Sequence, residues 1–360
     1  MGQCVSQKRE PRRHDKFHAK IVADKTPIAW ATEVDEIRDL CNRKERLLVA
    51  REKLKALENK ADSNFNEFIT SDETMRRLRW KTERIDEFAE LLKSTESTGD
   101  GHWKSEVLPD GKQLWTRLQP DGSVIIRLQG KLDIPLPHVA ALINEVDLQP
   151  GFIPWLRKAE KLHKVTGCGD FSQALCRLHY ELPPPLSPRE CDLFCFGCDA
   201  MYNEPFNGFV LVCVSPPEHS TDWWGYPLPA LHDSAVQLDM RTLSFVLRPC
   251  QHGSEVTLVM NADFRLKLPH RFLNWMSLKT MRSAFEGMDR LSKRFALTPY
   301  PARVASDREF YKIFVEDTIL ARFIADLSPT ESFVSCLERS LLCVYDAFVV
   351  SDEGVEETCT

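Results

Sequence analysis

No apolar run in this chain approaches the ~18 residues that a membrane-crossing helix needs. Hydrophobic residues still make up 43% of the 360 positions, so the apolar content is dispersed, as in an ordinary globular chain. A secretory signal is missing as well, because the residues after Met1 are polar and basic. The 12 cysteines are therefore expected as free thiols, mostly small core residues. Paired metal-ligand spacing is also lacking. Cys195 and Cys198 form a lone CxxC within RECDLFCFGCDA with no second pair at similar spacing, and no metal is expected. G-x-S-x-G, P-loop, H-E-x-x-H and dinucleotide fingerprints do not occur. His179, His219, His232, His252 and His270 are dispersed, and Glu181 and Glu190, which flank a proline-rich turn, are read as solvated. Without convergent His, Asp or Glu, no catalytic residue, cofactor or enzymatic activity is expected. Positive charge is not in excess either. The formal net charge is -6, which argues against nucleic acid as a partner.

The basic charge that is present gathers at the start. MGQCVSQK places Gly2 and Ser6 where N-myristoylation needs them, and Cys4 where a second acyl chain can join. One myristoyl chain holds a protein only marginally, at roughly 10⁴ M⁻¹, so a stable anchor needs a second signal. Lys8, Arg9, Arg12, Arg13 and Lys16, with Lys20 beyond them, add attraction to an anionic leaflet of about 1 kcal/mol each. The expectation is a doubly acylated arm over residues 1–30, on the cytosolic face of a membrane.

Beyond the arm, residues 31–95 read as a helical hairpin, with Thr32 as the first N-cap. Leu40, Leu47, Leu54 and Ala61 recur every seven residues, but Lys44, Arg51 and Glu58 occupy the other seam position and weaken a coiled coil. Met75, Leu78, Ile85, Phe88 and Leu92 mark the second helix. After the STESTGDG linker, the period changes to two. A hairpin turns at Pro120-Asp121-Gly122, helices are predicted over 136–146 and 152–162, and strands over 172–181, 190–198, 208–215, 235–248 and 255–265. The last strand alternates Val256, Leu258, Met260, Ala262 and Phe264 with polar residues, which predicts one buried and one wet face. Pro269 opens a long amphipathic helix carrying Phe272, Leu273, Met276, Met281, Phe285, Met288 and Leu291. A C-terminal helical hairpin over 303–350, its first helix spanning 306–327, and an acidic tail over 351–360 complete the chain.

The expected class is α+β. A long helix laid across a curved antiparallel sheet leaves a hollow, which Leu, Met, Val and Cys at the inward positions would make apolar; a fully packed α+β core fits the same periodicity. The order of motifs resembles the START family of lipid-transfer domains, in the helix-grip group, over roughly 111–295 within a domain of 102–297. Carrying the resemblance are Gly151-Phe-Ile-Pro-Trp155-Leu, the proline-rich step Pro184-Pro-Leu-Ser-Pro-Arg189-Glu190, and Asn207-Gly-Phe-Val-Leu-Val-Cys-Val. The segment from Gly253 through Asp263 to Pro269 is similar to the strand that leads into the family's lid helix.

The resemblance implies a lipid ligand in a cavity whose lining is expected to include Cys191, Leu193, Cys195, Leu258, Met260, Phe264, Phe272 and Met276. It also implies that the segment from Pro216 to Asp233 covers the cavity mouth, with Trp223, Trp224 and Tyr226 as lid or membrane contacts. Sterol-binding relatives often carry an arginine six residues beyond the strand-opening one; here that position is Cys195, which leaves the ligand class open. The function expected is local lipid sensing or transfer by a membrane-tethered protein. A lipid-anchored scaffold acting through its helical hairpin on a protein partner, and a cyclase-like enzyme on the same fold, are the alternatives.

Overall fold

The computed structural model describes residues 30–43, 46–60, 63–96, 103–108, 110–164, 172–232, 234–250 and 253–315. Gly2, Cys4 and the basic cluster Lys8, Arg9, Arg12, Arg13 and Lys16 lie outside the described residues, as do most of the expected C-terminal hairpin and the acidic tail. The chain divides into two compact units, with the boundary between Arg84 and Ile85.

The stretch read as a hairpin is helical in four segments: α1 (Ala31–Arg43), α2 (Leu47–Glu58), α3 (Ser63–Ser71) and α4 (Glu73–Glu96), the last running across the boundary so that residues 85–96 belong to the second unit. Helix α1 begins at Ala31, so Thr32 lies inside it and does not cap it. Leu40 and Leu47 belong to different helices, which interrupts the heptad. Asp72 caps α4: its Oδ1 accepts the Met75 N–H at 2.9 Å, and its Oδ2 accepts from Arg38 at 2.6 Å. Trp30 packs on Phe65 and Phe68 with ring centroids 5.2 and 4.8 Å apart.

The second unit carries the sheet. Its strands are β1 (Trp103–Val107), β2 (Gln113–Leu118), β3 (Val124–Leu132), β4 (Leu156–Lys164), β5 (Ser172–Tyr180), β6 (Arg189–Ala200) and β7 (Gly208–Val214). The short β8 (Asp222–Trp223), β9 (Tyr226–Pro227) and β10 (Val236–Gln237) precede β11 (Asp239–Cys250) and β12 (Gly253–Asp263). Among the described residues the main sheet runs β1-β2-β3-β12-β11-β7-β6-β5-β4, all antiparallel, with β10 added in parallel to β6. The β2–β3 turn forms at Pro120-Asp121-Gly122. Gly122 has φ +82°, and Asp121 accepts the Ser123 N–H at 2.9 Å.

Two expectations about strands are corrected. Residues 156–164 form β4 where a helix was predicted. Register shifts at Leu156/Lys158 and Lys161/His163 break the alternation, so Leu156, Ala159 and Leu162 fall three apart and imitate a helical stripe. The outer face of β12 is not wet, because Thr257, Val259 and Asn261 are buried. In this region the C-terminal part of α4 lies against the same side of the neighbouring strand, where Arg127 donates to the Leu92 carbonyl at 3.2 Å.

Helix α5 (Leu136–Asn144) leads into a 3-10 turn (Val146–Gly151). Helix α6 (His270–Ser292) starts after Pro269, whose φ of -54° is already helical and whose missing N–H costs nothing there. Met281, Phe285 and Met288 recur at i, i+4 and i+7 and are buried against the sheet. Burial of each such side chain contributes roughly 1.5–3 kcal/mol. Glycines set how closely α6 approaches: a Cβ at Gly130 would stand 2.9 Å from the Phe285 ring, and one at Gly287 would stand 2.8 Å from Phe152 Cβ. Helix α7 (Tyr300–Ser306) and a helical segment over 308–315, separated by a turn at Asp307, replace the start of the single helix predicted from 306.

Gly130→Val should cost about 1–3 kcal/mol of urea-unfolding stability through overpacking. Gly151→Ala, where an added Cβ meets nothing within 4 Å, should change stability by less than ~0.5 kcal/mol. Equal effects at the two sites would refute the close approach of α6.

His138 in α5 stacks on Phe295 at 4.1 Å, and burial pushes its pKa down to about 4. Its folded value therefore lies below the unfolded one of about 6.5, so the neutral ring contributes stability that is full above pH ~6.5 and lost as pH falls toward 4. Wild type should lose stability relative to His138→Gln across that window, with a slope approaching ~1.4 kcal/mol per pH unit. A pH-independent difference between the two would contradict the buried neutral imidazole.

Candidate functional site

Between α6 and the inner face of the sheet lies a cavity of about 160 Å³. Leu178, Leu193, Cys195, Leu258 and Met260 line it from the strands, and Thr280, Met281, Ala284 and Met288 from α6. Phe152 and Ile153 close one side, and Phe310 and Phe314 complete the wall. The strand residues reach it by the pleat: Leu178 and Tyr180 on β5, and Leu193 and Cys195 on β6, point inward while their neighbours point out.

At one end of the lining Lys161 and Asn144 belong to a hydrogen-bonded chain, and Gln149 donates to the Ile143 carbonyl at 2.8 Å. Lys161 donates to Asn144 Oδ1 at 3.1 Å, Asn144 Nδ2 donates to the Tyr311 hydroxyl at 3.1 Å, and Tyr311 donates to Glu145 Oε1 at 2.6 Å. Thr280 returns its hydroxyl to the Met276 carbonyl at 2.9 Å. The thiols behave as apolar wall. Cys195 faces Cys213 across β6 and β7, and a hydrogen bond with Cys195 together with burial pushes the Cys176 thiol well above its ordinary value. A site of this composition takes an apolar ligand and offers little to orient a charged headgroup.

Not every residue expected in the lining reaches it. Leu193, Cys195, Leu258 and Met260 do. Cys191, Phe264 and Met276 are buried in the surrounding core, the Cys191 thiol pushed up to about 12 by burial and lying 3.4 Å from the Ser215 hydroxyl. Phe272 is 44% exposed on the first turn of α6 and is no part of the cavity. Helical spacing puts it on the same stripe as Met276, but Met276 is buried and Phe272 is not. Phe310 and Phe314 were assigned to a separate C-terminal hairpin; their aromatic spacing along the helix was the available signal.

The loop over 216–232 does not cover the cavity. It lies on the opposite, outer face of β4, β5 and β6. Tyr226 packs on His163 at 5.5 Å, and Arg177 donates to the Pro229 and Ala230 carbonyls at 2.6 and 2.9 Å. Trp223, Trp224 and Tyr226 are half-buried there, in the small β8–β9 hairpin. Arg177 is held by a bidentate pair with Asp192, both contacts 2.7 Å.

Glu190, read as solvated, is fully buried on this face. Burial raises its carboxyl, but hydrogen bonds from His179 and His232, with the His232 backbone N–H and Arg177, hold it below the ordinary glutamate value. His179 and His232, which look dispersed in the sequence, thus converge on one carboxylate. The register pairs His179 directly with Glu190 across β5 and β6. On the same edge, buried Arg189 donates to the Phe264 and Ser187 carbonyls, both at 2.7 Å, and fixes the segment that leads into α6.

The architecture is α+β: a large antiparallel sheet gripped by a long helix over an apolar cavity. No protein-family model matches the chain, and no curated protein does. Among solved structures it is similar to human STARD10, with 13% identity and a TM-score of 0.48 over 64% of this chain and 87% of that one. Human StAR-related lipid transfer protein 5 shows 12% identity and a TM-score of 0.48, over 60% of this chain and 97% of its own. A StAR-related lipid transfer protein fragment from Xanthomonas axonopodis shows 16% identity and a TM-score of 0.43, over 54% and 99%. At these identities and TM-scores the ligand has to be argued from the cavity of this chain.

Proposed function

We propose that this chain binds a hydrophobic ligand in the cavity behind α6 and does so as a lipid-binding protein held on a membrane. The observation that carries the reading is the lining: a wall that is mostly apolar, with Lys161 bonded to Asn144, and Gln149 and Thr280 bonded to backbone carbonyls. Chemistry would need convergent acids and bases, but among the described lining residues there is no His, Asp or Glu, and Lys161 is tied to Asn144.

Size sets the mechanism. A dry apolar cavity of about 150 Å³ accepts a molecule the size of benzene. At about 160 Å³ the closed form here takes a small apolar group, and a whole lipid requires the cavity to enlarge. Helix α6 is the wall that can give way, since its first turns hold an exposed aromatic pair. Phe272 is 44% and Trp275 is 51% exposed, their rings 5.6 Å apart, with the Lys279 ammonium 5.1 Å from the Trp275 ring. An aromatic pair beside a lysine suits a membrane interface, which assigns the bilayer contact to α6 in place of Trp223, Trp224 and Tyr226. Entry then consists of α6 meeting the bilayer and lifting, and affinity comes from the apolar area buried.

Ala284→Trp fills the space between α6 and the sheet. The full chain should bind a fluorescent acyl probe at least tenfold more tightly than this variant, with both proteins unfolding at similar temperature. Undiminished binding by a folded variant would place the ligand elsewhere.

The tether is part of the same proposal: acylation at Gly2 and Cys4, with the basic cluster from Lys8 to Lys16 against an anionic cytosolic leaflet. In cell fractionation, Gly2→Ala should move the protein to the soluble fraction and Cys4→Ser should move part of it. Full membrane retention of Gly2→Ala would remove the myristoyl anchor from the account.

A further inference from the structure

The outer face of the sheet holds a second constellation, unrelated to the cavity. His179 on β5, Glu190 on β6 and His232 at the end of the loop bring three ligand atoms within 4.8 Å of one another. Both imidazoles aim Nδ1 at the same carboxylate oxygen, Oε1: His179 lies 3.0 Å from it, and His232 is in contact with it. The rings are 5.6 Å apart at 69°, so they approach that point from different directions.

The local charges leave a place for a cation. Arg177 is neutralised by its bidentate pair with Asp192. Glu190 remains as a buried carboxylate, with Oε2 accepting the His232 backbone N–H at 3.2 Å and standing 3.8 Å from Arg177. Its Oε1 meets only the two imidazoles among the described residues. A buried anion needs a compensating positive charge.

We propose that His179, Glu190 and His232 bind one divalent transition metal, zinc in the first place, and that the metal pins the loop over 216–232 to the sheet. Two imidazole nitrogens and one carboxylate oxygen form a borderline donor set, which suits zinc and disfavours calcium and magnesium. Tetrahedral bonds of about 2.0–2.2 Å put ligand atoms roughly 3.4 Å apart, so the two imidazole contacts with Oε1, 3.0 Å for His179 and shorter for His232, have to open to admit the metal while the ligand atoms stay within 4.8 Å of one another. The His232 side chain is 69% exposed and the His179 side chain 27%, so both rings can turn to do this. In the bound form each ring keeps its proton on Nε2 and presents Nδ1 to the metal. The fourth position opens to solvent beside His232 and takes a water. Arg177 and Asp192 face one another across β5 and β6, two positions along from His179 and Glu190, and Arg177 holds the Pro229 and Ala230 carbonyls, which sets the distance between the His232 ring and the sheet.

The full chain, stripped with EDTA and returned to equimolar zinc chloride, should retain one zinc per chain through gel filtration, and its unfolding temperature should rise. His232→Ala removes one hydrogen bond to Glu190, so it should lower the metal-free unfolding temperature slightly while the chain stays folded, and it should weaken zinc at least tenfold. Cobalt in place of zinc should give visible bands without a thiolate-to-cobalt charge-transfer band, which separates this site from the cysteines. The proposal is overturned by absence of zinc retention in wild type, by equal affinity in His232→Ala, or by a thiolate band in the cobalt spectrum.

Discussion

Met281, Phe285 and Met288 commit α6 to the inner face of the sheet, while Gly130 and Gly287 set how near it can come. Everything on that side depends on this contact. The residues facing the gap between helix and sheet are small or flexible: Ala284, Cys195 and the methionines. A cavity therefore survives in an interior that otherwise packs to crystal-like density. The flexible thioethers also make its wall adaptable, which suits a ligand of variable shape.

The two faces of the sheet separate two kinds of physics. On the inner face polar groups are few, so the wall of the cavity is mostly apolar. On the outer face Arg177, Asp192, Glu190, His179 and His232 form a buried ionic cluster that holds a loop. Alternation along β5 and β6 assigns neighbouring residues to these opposite faces: Leu178 to the cavity and His179 to the outer cluster, Leu193 to the cavity and Asp192 to Arg177. A change of one residue in register would exchange them.

The α+β class was legible because β12 alternates, α6 repeats its apolar residues at helical spacing, and β7 reads as a short continuous apolar run. Periodicity failed where geometry departs from the ideal. The bulges in β4 turned alternation into a three-residue spacing that reads as helix. The outer face of β12 looked wet because Thr257 and Asn261 are polar, yet both are buried, a property of packing that composition does not carry. Within the site, Leu193, Cys195, Leu258 and Met260 followed from inward strand positions. Phe272 did not, since a helical stripe shows which face is apolar but not which of its residues are buried. The convergence on Glu190 was hidden by sequence distance: His232 is 42 positions away, and only the fold of the loop brings it back.

Native mass spectrometry of the full chain, purified without detergent and then incubated with lipid vesicles, bears most directly on the cavity as a ligand site. A species heavier than the polypeptide by one apolar molecule, lost on denaturation and absent from Ala284→Trp, is the predicted result. A spectrum showing only the bare polypeptide, before and after incubation, would contradict it.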